Sequence, residues 1–391
     1  MKSIFQNPIY VSFPYRTPIG KFGGSLKGLT APQLASTLLS SLVKKTQTHY
    51  PVDYVIMGHA RQAGAGPNPA RQAALGAGLP DTIPAFTVNQ ACASGLTAVI
   101  SACEKISLGK AQGIFAGGVE SMSNTPYILP QARWGTKMGH GQVIDGMHQD
   151  GFFCPMSQMV MGATVENFLV PEFQISRAEQ DNFALGSQQK VANAYLKNLF
   201  QDEIVTIPAV GKNPGLTEDE HKRTDTTLDS LKKLPPVFDP MQGTVTAGNS
   251  SGITDGAAFL YLSGQKTPDA IAEIIDFETT ALDPRRMGLG PVSAIQKLLK
   301  RQSLQIKDIA IFEINEAFAA QVIACQRHLN IEEDRLNPRG GSIALGHPIG
   351  ATGARILVTL IHQIKNKSGS LGIASLCVSG GHGVSMLIRS V

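Results

Sequence analysis

Strand-type apolar runs alternate with helix-type segments at both ends of the chain but not in its middle, and this rhythm limits the possible folds more than any other feature. Near the start, PIYVSF is followed by the helical pattern LTAPQLASTLLSSLVKK, then YVIMG, IPAFTVNQ, SGLTAVISACEKISLG and GIFAGGVES. Long segments carry apolar residues at helical spacing, and short ones run apolar throughout, as strands buried between crossover helices do. The last third repeats the rhythm with AIAEIIDFETT, SAIQKLLKRQ, DIAIFEINEAFAAQVIACQRHL, ATGARILVTLIHQIKNK and the closing pair LGIASLC and GVSMLIRS. Two similar α/β halves are predicted.

Between them, roughly from Ser121 to Ser250, strand runs thin out, Met, His, Gln and Pro rise, and helical stretches such as RAEQDNFALGSQQKVANAYLKN appear. The expected division is an N-terminal half over 1–120 plus 251–270, a loop domain over 121–250, and a C-terminal half over 271–391. A sheet scaffold does not need so long an insertion, which therefore reads as a substrate-binding lid.

Composition removes several function classes. The 391 residues, 42% of them hydrophobic, can bury a large core, and 40 glycines set within apolar segments suit many tight strand-to-helix turns. The net charge of +4 is dispersed, without a basic run or an aromatic stripe, so nucleic acid is not an expected partner. Cys92, Cys103, Cys154, Cys325 and Cys377 are odd in number and form no CxxC pair, which argues against a disulfide framework and a cysteine metal site and for a reducing compartment. Residues 82–103 carry no charge, yet Asn89, Gln90 and several Ser and Thr interrupt the stretch, so a buried strand, turn and helix is expected and no membrane span. MKSIFQNPIYVSF has neither a long apolar region nor Arg-rich character, and the ending LIRSV is no peroxisomal signal, so a cytoplasmic protein is expected.

Four polar groups fall at the carboxyl ends of expected strands, where open α/β sheets bind ligands. AFTVNQACASGLTAVISACEKISLG reads as a strand ending at Asn89, a turn through Cys92 and a helix opening near Ser94 and Gly95. A sulfur there lies beside unpaired helix N–H groups, which favour a thiolate by about 0.3–1 kcal/mol; taken alone, a small buried hydrophobe is an equal reading. In GGSIALGHPIGATGAR, Pro348 leaves His347 in a loop, within reach of a ligand. The glycines there lack the GxGxxG order of a dinucleotide cradle, and no GxxxxGK[ST] occurs. ASLCVSGGHG sets Cys377 at a strand end before a glycine turn whose N–H groups can face a ligand. In IFEINEAFAAQ the strand breaks at Asn315, which reads either as a helix cap or as a side-chain amide holding a water or substrate oxygen.

These segments, together with YRTPIGKFGGSL (Tyr15 to Leu26), GGVESMSNTPY (Gly117 to Tyr127) and GTVTAGNSSGITDGAA (Gly243 to Ala258), resemble the thiolase family nearly end to end, specifically its acetyl-CoA acetyltransferase branch. RWGTKMG (Arg133 to Gly139), IDGMHQDG and MGATVEN resemble the loop domain of the short-chain enzymes. The resemblance implies a thiolase fold of αβαβα halves around a loop domain, a homotetramer or dimer, no cofactor and no metal, and acetyl-CoA, acetoacetyl-CoA and CoA as substrates and products, within fatty acid metabolism.

It further implies that Cys92 is the acylated nucleophile, His347 its base and an oxyanion donor, Cys377 the acid and base at the α-carbon, and Asn315 the holder of a water in the oxyanion hole. Ser379 would donate through its backbone N–H. Ser251 would lie near the pantetheine and Arg223 near the adenine nucleotide, with Met161, Ser230, Ala247, Met287 and Phe318 as further substrate or CoA contacts. Two departures bear on specificity: the usual CxGGGMG is CVSGGHG here, placing Ser379 where glycine is usual and His382 where an apolar residue is usual, and Val160 stands where short-chain enzymes often have histidine. A degradative thiolase for longer 3-ketoacyl-CoA is the nearest rival reading. A non-catalytic acyl-CoA binder would lack one of the three reactive residues, and a nicotinamide enzyme would need the missing fingerprint.

Overall fold

The protein is described by a computed structural model over residues 3–46, 50–209, 211 and 214–391. In chain order the main elements are β1 (Ile9–Arg16), α1 (Ala31–Thr46), β2 (Tyr54–Gly58), α2 (Pro69–Gly76), β3 (Ala85–Val88), α3 (Ser94–Ser107) and β4 (Gly113–Ser121). After the insertion, which carries the long helix α4 (Arg177–Leu196), come β5 (Thr254–Ser263), β6 (Ala270–Ala281), α5 (Gly290–Gln302), β7 (Ile311–Ile314), α6 (Ala319–Leu329), α7 (Ile349–Ile364), β8 (Leu371–Val378) and β9 (His382–Ser390).

Strand pairing shows the two halves directly. The strand order is β7-β8-β9-β6-β1-β5-β4-β2-β3, with the short pair Gly20–Lys21 added on β5. In one half β2 runs parallel to β4, β4 antiparallel to β5, and β5 antiparallel to β1. In the other, β7 runs parallel to β8, β8 antiparallel to β9, and β9 antiparallel to β6. The same sequence of pairings recurs, and β1 and β6 join the halves antiparallel through Ile9 to Ser12.

Helices fill three layers. Leu34, Leu38 and Leu42 of α1 pack with Ala70 and Ala73 of α2 over the outer face of the first half, and Ile295, Leu298, Val322 and Ile323 of α5 and α6 cover that of the second. Between the sheets α3 and α7 pack on each other and on strands of both halves, sharing one core with Ile114, Leu260, Leu376 and Met386. Helix α7 is buried along its length except Gln363, its Thr352, Arg355, Thr359 and His362 each taken up in a hydrogen bond.

Close backbone approach in this middle layer depends on glycine. A Cβ on Gly118 of β4 would stand 2.1 Å from the carbonyl oxygen of Gly350, so only glycine lets α7 begin against the strand. The start of α7 and the start of α3 thereby come to the same edge of the two sheets, which is where the reactive residues lie.

The insertion between Ser121 and Thr254 holds α4, which opens with a capping box between Ser176 and Glu179, and otherwise short helical turns and two-residue strands. Glu166 fastens it to the body of the loop by accepting from the backbone N–H groups of Thr244 and Val245 at 2.8 and 2.7 Å. Among the described residues no helix is long and apolar enough to cross a membrane.

Candidate active site

Cys92 sits between β3 and α3, on a turn that the sequence forces into an uncommon shape. Ala91 has φ 46°, a left-handed conformation that costs a non-glycine residue about 1–3 kcal/mol. Its neighbours hold it there: Asn89 Oδ1 accepts from the Ala91 N–H at 2.9 Å, and the Ser94 hydroxyl donates to the Ala91 carbonyl at 2.7 Å while accepting from the Gln90 N–H at 2.9 Å. The strained turn presents the Cys92 sulfur to a cavity of about 380 Å³.

Cys377 reaches the same cavity from the end of β8, and His347 from the loop before α7. The three groups come from distant stretches of chain and share one space. Ser379, Ala247, Ser251, Met161, Met287 and Phe318 also line it. Asn315 stands behind His347, its Nδ2 at 3.4 Å from His347 Nε2. It caps no helix: α6 begins only at Ala319, after Phe318. Arg223 and Ser230 lie outside the cavity on the exposed surface of the insertion, where the Ser230 hydroxyl is taken up in a capping box with Thr227. The helical turn of Ser230, Leu228–Lys232, adjoins the cavity wall, since Gly248, next to Ala247, packs on Leu231 and Leu234.

Hydrogen bonds fix the histidine tautomer from both sides. The Thr352 hydroxyl donates its single proton to the Pro348 carbonyl at 2.9 Å, so it accepts from His347 Nδ1–H at 2.7 Å. On the other side Arg355 Nη2 donates to Ser342 Oγ at 2.8 Å, Ser342 donates to Asn315 Oδ1 at 2.6 Å, and the amide nitrogen of Asn315 is left to face His347 Nε2. Nε2 is therefore the unprotonated nitrogen, as a proton acceptor requires. Burial, with the charges of Arg355 and Arg61, pushes the imidazole down to about 3, so it is neutral at ordinary pH. Replacing Thr352 with valine strips Nδ1 of its partner; kcat is expected to fall about tenfold with KM nearly unchanged, a loss of about 1.4 kcal/mol in steady-state assays.

The thiols depart from the expectation drawn from the helix end. Burial raises Cys92 above an ordinary thiol; the charge of Arg61 and the backbone N–H groups of Ser379 and Cys92 itself oppose it without overcoming it. Loss of hydration outweighs a helix terminus of at most about 1 kcal/mol, so the resting Cys92 is a thiol whose ionisation needs help. Cys377 is raised much further by burial, then by the neighbouring sulfurs of Cys92 and Cys325. The backbone N–H of Ser379 is among the groups that oppose the rise at Cys92, and serine in place of the usual glycine keeps that donor. His382 faces Val378 across the β8–β9 pairing and does not line the cavity.

With this geometry in place, comparison with known proteins gives a consistent answer. Residues 9–266 match the family described as thiolase, N-terminal domain, and residues 268–390 match thiolase, C-terminal domain. The chain belongs to the thiolase family. It is similar to Staphylococcus aureus proteins named probable acetyl-CoA acyltransferase, one of them 44% identical over 97% of this chain and 98% of its own length. A second, from the bovine strain RF122, is 43% identical over the same shares. It is also similar to the crystal structure of the Bacillus anthracis acetyl-CoA acetyltransferase, with TM-score 0.93, 41% identity, and coverage of 99% of this chain and 100% of that one.

The sequence missed part of this thiolase cavity. His148, Gly151, Phe152, Val237 and Phe238 line it from the insertion, where no periodic pattern marks which residues turn inward. Phe238, in LPPVFDP, was the most accessible signal, a large apolar side chain among prolines. Val160 does line the cavity, as its place before Met161 implied.

Proposed function

We propose that the protein is an acetyl-CoA C-acetyltransferase, joining two acetyl-CoA reversibly into acetoacetyl-CoA and CoA through an acyl-cysteine. The observation that carries this reading is the single cavity shared by two thiols and a neutral imidazole with an unprotonated Nε2. The relatives that carry acetyl-CoA in their names support it.

The proton balance assigns the roles. His347 Nε2 takes the Cys92 proton as the sulfur attacks the thioester, and the CoA leaving group departs as the acyl-enzyme forms. That group leaves as a thiolate and needs a proton. Cys377, held neutral by its surroundings, can donate one and so become the base that next removes a proton from the methyl group of the second acetyl-CoA. The resulting carbanion attacks the acyl carbon on Cys92, and the released thiolate recovers its proton from His347. A thiol is too weak a base for a thioester α-proton unless the enolate oxygen is stabilised, a role this reading gives to His347 with a water held by Asn315. The N–H groups of Cys92 and Ser379 serve the tetrahedral intermediate. No metal or organic cofactor enters these steps.

Arg223 and Ser230, exposed on the insertion, would meet the nucleotide end of CoA in this reading. The segment around Leu129, Trp134 and Met138, exposed at 56, 86 and 94%, supports the oligomeric part of the reading by offering apolar surface to another copy.

Broader specificity for longer 3-ketoacyl-CoA is the second reading, favoured by the apolar Val160, Phe152 and Ile253 in the wall. Thiolysis of C4, C6, C8 and C16 substrates by purified protein decides between them. The C4 substrate is expected to lead by at least about tenfold over C16, since a pocket discriminates poorly per methylene but strongly over many. Equal or greater activity at C16 defeats the short-chain assignment.

A further inference from the structure

Near the nucleophile lies a buried cation with no role in the mechanism above. Arg61 follows β2 in the segment HARQAG and is only 5% exposed. Its guanidinium packs directly on Gly151 of the cavity wall, so closely that a Cβ there would stand 1.8 Å from Nη2, and it lies 5.8 Å from the centre of the Phe152 ring. Neither Nε nor Nη2 has a hydrogen-bond partner among the described residues.

The neighbouring carboxylate does not supply the missing acceptor. Glu120 accepts from His59 Nε2 at 3.0 Å and from the backbone N–H groups of Ala60, Arg61 and Gly350 at 3.2, 3.1 and 2.9 Å. The Arg61 side chain takes no part in that set. Glu120 is an anion nearby, its carboxyl held below the ordinary range against burial by His59 and the Arg61 charge, but it leaves Nε and Nη2 of Arg61 without a hydrogen-bonded acceptor at the cavity wall. The charge acts on both reacting groups, opposing the upward push on the Cys92 thiol and adding to the downward push on His347.

Resting on the reading of Cys92 as nucleophile, we propose that Arg61 is the fixed counter-charge of the Cys92 thiolate, a positioning residue that favours sulfur ionisation while keeping His347 uncharged between turnovers. Other charged or titratable groups around the sulfur do not serve this purpose. Glu120 repels a thiolate, its partner His59 is spent on Glu120, Cys377 is a second sulfur, and His347 must stay neutral to accept the proton. His148 faces the same cavity from the insertion.

The test reads the ionisation of Cys92 without turnover. Iodoacetamide alkylation is followed against pH, with modification at Cys92 separated from that at Cys377 by peptide mass, in the wild type, Arg61→Met and Arg61→Lys. Removing the cation is expected to move the Cys92 midpoint up by about one pH unit or more, and lysine to restore most of it. The acid limb of the kcat profile should move the same way. An unmoved midpoint in a folded Arg61→Met protein, verified by its melting curve, overturns the proposal. If that variant does not fold, Arg61→Gln supplies the neutral comparison. Failure of Cys92 to become acylated by acetyl-CoA would instead strike the nucleophile assignment, so the two failures are distinguishable.

Discussion

Exchanging Cys92 for serine is expected to abolish the acyl-enzyme and lower turnover by about 10⁴-fold or more, the scale on which nucleophile losses register in enzymes of this kind. The cavity, His347 and the Ser379 N–H remain in place, but an alcohol in the same surroundings is far harder to ionise than a thiol that burial has already pushed up. Intact-protein mass after incubation with acetyl-CoA reads the result directly: one acetyl group on the wild type and none on the variant. The fold should tolerate the change, with a stability loss below about 1 kcal/mol, because Cys92 is only partly buried and serine has nearly its shape. An acetylated variant with wild-type turnover would show that the bond-forming sulfur is elsewhere.

That expectation rests on features the sequence exposes unequally. Strand and helix rhythm disclosed the duplicated architecture because the strands are buried on two faces, so β4 and β8 read as largely apolar runs and α7 as an amphipathic helix. Cys92, His347 and Cys377 were legible because each falls at a strand end or loop beside glycines, and the family resemblance joined them. The polarity of the histidine was not legible. Thr352 lies five residues beyond His347 on the first turn of α7, whereas Asn315, itself oriented by Ser342, meets the ring through tertiary packing that no spacing announces. Burial likewise decides the charge of Cys92, and local sequence showed only the opposing helix terminus. Arg61 escaped notice because an arginine after a strand is ordinarily solvated; only its contact with Gly151, more than eighty positions later, encloses it.

The second thiol gives the sharpest separation of steps. With Cys377 changed to serine, Cys92 still shares its cavity with His347 and Ser379, so acylation by acetyl-CoA is expected to proceed, though more slowly because the leaving thiolate loses its proton donor. Deprotonation of the methyl group is expected to fail. In D₂O the wild type should wash deuterium into the methyl group of acetyl-CoA, and the variant should not, while condensation falls by about 10³-fold, within the usual range for loss of a general acid and base. Serine has nearly the shape of cysteine and leaves the register of Cys377 opposite Gly383 in the strand pairing undisturbed, so misfolding does not account for the loss. Acylation and exchange thus part company in one protein. A Cys377→Ser enzyme that condenses normally would mean that the α-proton leaves to another base, and of the groups lining this cavity His347 or His148 would then have to take it.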